Sequence, residues 1–335
     1  MDLALVWAAI IALGVVVYVI LDGFVLGIAI LFPFARERSD RDVMMNSVAP
    51  VWDGNQTWLV LGGAALFAVF PQAYSILLPA LYMPILLMLI ALVWRGVSFE
   101  FRFKANRSRR LWDVSFCFGG LVAALCQGLV LGTVVQGFDV RNGEYAGGAF
   151  GWLSPFTLLT GISVVIGYAL LGSTWVVMKT VGELQDWSYR VSRRLLPLLV
   201  LCIGAVSLYT PLDQPEIAER WFALPDFYFL SQVPLVTFIL SVSCWYVLKR
   251  QRRAQQSLPF YFSIGLFLLS YAGLTISIWP YIVPRAVTLW EAAAPPETQI
   301  FALIGYVVFL PLVIGYTVMA YRVFRGKVRP GEGYH

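Results

Sequence analysis

Residues 3–34 read LALVWAAIIALGVVVYVILDGFVLGIAILFPF, and Asp22 is the one charged side chain among them. A helix of about 20 mainly apolar residues crosses the hydrocarbon core of a bilayer, because it satisfies its backbone polar groups without water. No basic residue stands in front of this stretch, and it far exceeds the 7–15 residue core of a cleaved signal peptide. It therefore reads as a retained membrane span. Working outward, eight further apolar segments follow, and the nine expected spans are roughly 4–34, 50–70, 73–103, 111–137, 154–180, 194–210, 227–248, 258–283 and 298–321. Pro71 divides the second from the third. Ser154-Pro155 has the form of an N-cap followed by proline at the first helical position, where the missing N–H costs nothing.

The composition agrees with lipid as the solvent. Hydrophobic residues make up 59% of the 335 and charged residues only 13%, against about 25% charged in soluble domains. No polar stretch is long enough for a separate soluble domain, so residues 1–335 form a single polytopic membrane domain. The net charge of +5 does not indicate nucleic acid, because the basic residues sit in short clusters between apolar runs. Arg36, Arg38 and Arg41 follow the first span, Arg102 to Arg110 the third, Lys179 to Arg194 the fifth and Lys249 to Arg253 the seventh, while Arg322 to Arg329 form the tail. Only Arg141, Arg220 and Arg285 fall on the other side. Retention of basic residues in the cytoplasm puts the N-terminus outside and the C-terminus inside, which requires an odd number of spans. Trp7, Trp112, Trp152, Trp279 and Trp290 fall near span ends and read as headgroup-level belt residues.

An ionisable side chain inside such a helix costs about 2.5–3.5 kcal/mol on insertion scales and so requires a partner or a task. Asp22 lies towards the inner end of span one, Asp53 in the first turn of span two, Arg95 in the inner half of span three, and Asp113 at the start of span four. All four fall in the cytoplasmic half of the first four helices. Gly23 and Gly27 give the Asp22 helix a face on which another helix approaches closely. Asp53 and Gln56, three apart in Trp52-Asp53-Gly54-Asn55-Gln56-Thr57-Trp58, share a helix face. Such chains of titratable and hydrogen-bonding groups are the material of proton paths. Plainer readings stand beside this one. Asp53 and Asp113 could serve the helix dipole, Arg95 could neutralise one of the aspartates, and Glu100 and Arg102 could snorkel to water at the boundary.

The single histidine, His335, is the last residue, so the spans offer no imidazole to haem, copper or zinc. Met83 and Met88 lie in an apolar run and read as core packing. The four cysteines, Cys117, Cys126, Cys202 and Cys244, form no CxxC pair and also read as packing residues. No P-loop, dinucleotide fingerprint or nucleophile triad is present. Any redox chemistry belongs to a partner.

The stretch Ala49-Pro50-Val51-Trp52-Asp53-Gly54-Asn55-Gln56-Thr57-Trp58-Leu59 resembles the most distinctive signature of subunit II of cytochrome bd-type quinol oxidases, cyanide-insensitive relatives included. Leu21-Asp22-Gly23-Phe24, Phe70-Pro71-Gln72-Ala73-Tyr74, Arg95-Gly96-Val97-Ser98-Phe99-Glu100-Phe101-Arg102, Leu111-Trp112-Asp113, Ser154-Pro155-Phe156, Lys179-Thr180-Val181-Gly182-Glu183-Leu184 and Thr288-Leu289-Trp290-Glu291 extend the likeness over almost the whole chain. The resemblance implies nine helices, arranged as two four-helix bundles plus one peripheral helix, in a bacterial cytoplasmic membrane. It implies pairing with a similarly folded subunit I that holds haem b and haem d and oxidises quinol, so that the complex reduces dioxygen to water with cytoplasmic protons. No side chain of this chain would ligate a cofactor; a structural quinone or lipid and small accessory subunits are compatible with the likeness.

By the same likeness Asp53 matches an aspartate of the proposed proton path, and Asp22, Arg95 and Asp113 match motif positions important to the oxidase, with Trp52, Asn55 and Glu100 as motif neighbours. Many relatives carry a second acid in the first motif, where this chain has Val25, so any role of that acid does not apply here. Two other classes remain open to test. A secondary transporter would place broken helices near the midplane in both halves, and a purely structural subunit would stabilise its partner and conduct nothing.

Overall fold

A computed structural model describes residues 2–329 and 331. The helix α1 (Leu3–Leu31) leads through a turn at Phe32–Phe34 to α2 (Arg38–Asn46), α3 (Trp52–Val69), α4 (Pro71–Ala80), α5 (Tyr82–Phe101) and α6 (Arg109–Gln136). A two-residue antiparallel pair, β1 (Val140–Arg141) with β2 (Glu144–Tyr145), precedes α7 (Pro155–Lys179) and α8 (Glu183–Asp213). There follow α9 (Pro215–Phe222), α10 (Asp226–Leu230), α11 (Gln232–Arg250), α12 (Leu258–Ile278), a second pair of β3 (Tyr281–Val283) with β4 (Val287–Thr288), α13 (Leu289–Ala292) and α14 (Pro296–Val323). The protein is a mostly helical, multi-pass membrane protein. Among the described residues eight helical segments are long and apolar enough to cross a membrane.

The segment 50–70, expected as a span, forms the 18-residue helix α3 and is not among those eight, because the polar opening Trp52-Asp53-Gly54-Asn55-Gln56-Thr57 lowers its hydropathy. Prolines explain most of the shifted boundaries. The expected single span 73–103 is broken at Leu81 into α4 and α5, because the ring of Pro84 collides with the carbonyl four residues back and supplies no N–H. Pro234 acts likewise on 227–248, which is split at Ser231 into α10 and α11. The segment 258–283 stops being helical at Ile278, two residues before Pro280. Conversely, 194–210 is only the apolar part of α8, which begins at Glu183 and runs 31 residues. Ser154 caps α7 as expected: its hydroxyl accepts from the Thr157 amide, the Thr157 hydroxyl answers the Ser154 N–H, and Pro155 opens the helix.

Three apolar clusters hold these elements together. The first joins α1, α5, α6 and α7 around Phe24, Phe116 and Trp175; the second joins the first turns of α1 to α4, β3, β4 and α13 around Trp7 and Phe70. The third joins α7, α8, α11 and α12 around Leu170, Cys244 and Leu266. Thus α7 serves two groups of helices. By contrast α14 leans on α3 and α1, and Gln299 is its one buried residue among those described.

Not every aromatic near a helix end belongs to the belt. Trp7 is fully buried, donates its indole N–H to the Gln299 carbonyl at 3.2 Å and meets Tyr306 edge-on at 4.8 Å. It is a core residue tying α1 to α14, and the belt reading fails because that contact requires a partner far away in sequence. Met88 packs in the core as expected, whereas Met83 is exposed. All four cysteines are free thiols, three of them buried.

Candidate functional site

Glycines decide where the charged residues meet. A Cβ at Gly27 would lie 1.7 Å from the Tyr168 carbonyl oxygen, and one at Gly172 would lie 2.5 Å from the Gly27 carbonyl carbon, so α1 and α7 cross backbone to backbone there. On the next helix, a Cβ at Gly119 would come within 2.6 Å of the Ala91 oxygen and 3.0 Å of the Arg95 nitrogen, while one at Gly120 would strike the Ala29 side chain at 2.4 Å. α6 is thereby pressed onto α5 and α1 together. These crossings bring Arg95, from α5, level with Asp22, on α1.

Arg95 Nη1 donates to Asp22 Oδ1 at 2.7 Å, and neither side chain has any exposed surface. Arg95 thus takes up the partner role, with Asp22. The pair is single-pronged: Asp22 Oδ2 and Arg95 Nε and Nη2 have no hydrogen-bond partner. Asn55 on α3 ties down the same level of the bundle. Its Nδ2 donates to the Leu21 carbonyl at 2.8 Å, and its Oδ1 accepts from the Tyr321 hydroxyl of α14 at 3.0 Å. Trp52 stacks on Phe99 with centroids 4.9 Å apart and rings 4° from parallel, and a Cβ at Gly96 would press on its ring at 3.2 Å.

The other charges do not join this pair. Asp113 accepts from Arg102 Nε at 2.5 Å and from Arg41 Nη1 at 3.4 Å, and Asp42 accepts from Arg102 Nη1 at 2.7 Å and from Arg109 Nη2 at 2.5 Å. Arg102, expected to reach for water, is instead completely buried, with its guanidinium over the Phe32 ring at 5.0 Å. The reason is α2, which folds back over the bundle end and supplies both Arg41 and Asp42. Asp113 is accordingly an ion-pair anchor and does more than serve a helix dipole. Glu100 behaves as the boundary reading expected, exposed and 3.9 Å from Lys104 one turn on. Removing Arg102 would leave two half-buried carboxylates facing each other with fewer cations, a costly imbalance. Arg102→Met is therefore expected to loosen α2, which limited trypsin digestion would read as faster cleavage at Arg36, Arg38 or Arg41; an unchanged digestion rate would contradict it.

Asp53 stands apart from both clusters. It is exposed and has no side-chain partner among the described residues, on a stripe of α3 that continues through Thr57, Val60 and Phe67 at helical spacing. Gln56, beside it, is half-buried with Nε2 unpartnered. A cavity of about 670 Å³ lined by Gln72, Asp139, Arg285 and Glu291 lies at the β-hairpin end, away from all of these groups.

The four charged residues separate into a buried pair, a surface-proximal network and one carboxyl without a partner among the described residues. Asp42, Arg41 and Arg109 went unrecognised because loop charges read as topology signals. His335 lies outside the described residues. Among the described residues no group of three His, Cys, Asp or Glu side chains could hold a metal ion.

A sequence model of the family described as cytochrome bd terminal oxidase subunit II matches residues 3–324. The chain is 27% identical to the probable cytochrome oxidase subunit 2 of Haemophilus influenzae, covering 97% of this chain and 95% of that one. It is 26% identical to cytochrome bd-I ubiquinol oxidase subunit 2 of Escherichia coli strain K12, with the same coverage of each chain. Identity to cytochrome bd ubiquinol oxidase subunit 2 of Bacillus subtilis is 25%, over 97% of both. The fold matches a chain in the structure of bd oxidase from Geobacillus thermodenitrificans with a TM-score of 0.79 and 16% identity, covering 97% of this chain and 99% of that chain.

Proposed function

The chain belongs to the family of cytochrome bd terminal oxidase subunit II, and from that premise we propose that it is the haem-free subunit of a quinol:oxygen oxidoreductase and supplies part of a proton-uptake path. In this reading nine helices span a bacterial cytoplasmic membrane, α3 being the ninth, with the N-terminus outside and the basic end in the cytoplasm. The similarly folded subunit I carries haem b and haem d, which supply the oxygen chemistry. Among the described residues this chain offers no histidine, and its methionines are either packed in the core or turned outward, so no haem step is assigned to it.

The observation that carries the proton-path reading is the placement of Asp53. A carboxyl at the basic end of a membrane bundle, without a partner among the described residues and exposed on a largely apolar stripe, is available to water and to a neighbouring subunit. Gln56 continues the polar face inward. Asn55 then pins that turn of α3 to the backbone beside Asp22, and in this reading that contact couples the Asp53 face to the buried pair, while the Asp113 network holds the bundle end. Asp22 itself is sealed within this chain, so in this reading it exchanges its proton by hydrogen-bond rearrangement and not by contact with bulk water.

In the assembled complex Asp53→Asn is expected to lower quinol-driven oxygen consumption by roughly a hundredfold or more, the range of a lost proton-transfer group, while haem content in the visible spectrum persists. Normal turnover would reduce Asp53 to a helix-end charge, and loss of haem would turn the role into assembly. A transporter would place its ion at broken helices near the midplane. The breaks here are at Leu81 and Ser231, and Leu81 lies 14 residues along the chain from Arg95, about 21 Å of helix.

A further inference from the structure

Uncharged groups complete the surroundings of Asp22. Tyr168 on α7 donates its hydroxyl proton to Gln127 Oε1 at 2.6 Å, and Gln127 Nε2 on α6 donates to the Tyr18 hydroxyl oxygen at 2.9 Å. Tyr18 lies one helical turn before Asp22, so the two side chains share a face of α1. Its hydroxyl sits beside the Asp22 carboxyl. The Tyr18 oxygen already accepts from Gln127, so its own proton remains to be given, and Asp22 Oδ2 is an acceptor without a donor. Tyr18 and Tyr168 are both buried. The charged and titratable groups facing Asp22 are Tyr18 on its own helix, Arg95 on α5, Tyr168 on α7 and Tyr321 on α14.

We propose that Tyr18, Gln127 and Tyr168 are positioning residues for Asp22, forming a one-way chain of hydrogen bonds that ends on Oδ2, directly or through one water, while Arg95 holds Oδ1. Every donor in the chain points towards the carboxylate. Hydrogen bonds aligned in this sense polarise one another and strengthen the last bond, to the charge. An unsatisfied carboxylate oxygen in a dry interior is costly, and a water serves as the bridge where two to four polar partners surround it. The chain links α7, α6 and α1 to the pair from α5, so the orientation of Asp22 depends on all four helices.

Its catalytic consequence rests on the proton-path reading above; its geometry does not. The test uses the assembled complex with Tyr18→Phe, Tyr168→Phe, both together, and Asp22→Asn. Difference infrared spectra identify the Asp22 carboxyl band by its absence from Asp22→Asn, and oxygen consumption is followed across pH with haem content as the assembly control. Tyr18→Phe is expected to move that band, to displace the pH profile and to lower turnover roughly tenfold, the scale of a hydrogen bond to a charged group. The double variant is expected to be little worse than Tyr18→Phe, because the chain is already cut at its last bond. Should Tyr18→Phe fail to assemble, Tyr168→Phe reads the same chain from its far end. An unmoved band and pH profile in the variant that assembles would overturn the inference. If the band moves while Asp22→Asn turns over normally, the chain stands and the proton-path role of Asp22 falls.

Discussion

Arg95→Met alone is expected to abolish most of the folded, assembled protein, and adding Asp22→Leu is expected to restore the greater part of it. Both side chains of this pair have no exposed surface, so removing the arginine strands a fully buried carboxylate with no cation beside it. Breaking a buried pair from one side costs about 3–5 kcal/mol, a shift of roughly a hundredfold to several thousandfold in the ratio of folded to unfolded chain. Replacing both partners by apolar groups of similar size removes the desolvation penalty together with the attraction, and such exchanges are often neutral or better. The unpartnered Asp22 Oδ2, Arg95 Nε and Arg95 Nη2 make the native pair costlier still, so a large recovery is expected. Yield in mild detergent and the midpoint of thermal aggregation measure it. A single variant as stable as the unaltered chain would show that the pair contributes nothing to folding. The double variant also separates two roles: if it assembles with haem but consumes no oxygen, the charges serve the reaction, and if it turns over normally they serve the fold.

How much of this could be read from the sequence varies by kind of signal. The apolar spans were legible because lipid admits few alternatives, and Pro71 and Ser154-Pro155 mark helix ends through local rules that the structure obeys. Breaks at Leu81 and Ser231 were less visible, since hydropathy runs on through Pro84 and Pro234 while the backbone does not. Asp22 and Arg95 announced themselves as charges in need of partners. Their pairing did not, because they are separated by 73 positions in the chain and the helix crossings that join them are set by Gly119, Gly120 and Gly27. Arg102 was misread since burial of a helix-end arginine depends on α2 folding back over it. Tyr18, Gln127 and Tyr168 gave no alarm, being uncharged. The four-residue spacing of Tyr18 and Asp22 was the one available hint. Asp53 remained a carboxyl of open purpose at both levels, and its partner, in the proposed reading, is another chain.

Gly27→Ala is expected to be the most damaging glycine-to-alanine exchange among the described residues. The new Cβ would lie 1.7 Å from the Tyr168 carbonyl oxygen and 2.5 Å from the Tyr168 carbonyl carbon, and both are backbone atoms of a helix that cannot yield by rotating a side chain. Relief requires α1 and α7 to separate by more than an ångström, which would loosen the stack of Phe24 on Trp175, now 4.1 Å between centroids, and pull Tyr168 away from Gln127. Overpacking a well-filled core typically costs about 1–3 kcal/mol and occasionally more, and a backbone obstacle between two long helices belongs at or beyond the upper end. Against this, alanine is favoured over glycine in a helix interior by about 1 kcal/mol, far too little to compensate. Gly14→Ala provides the control, because on the same helix its nearest neighbour would be the Trp58 oxygen at 3.6 Å, an ordinary contact. There the helical preference prevails, and the thermal midpoint is expected to hold or rise slightly. Gly27→Ala chain recovered at normal yield, with a midpoint equal to that of Gly14→Ala, would show that α1 and α7 are not locked together at this crossing.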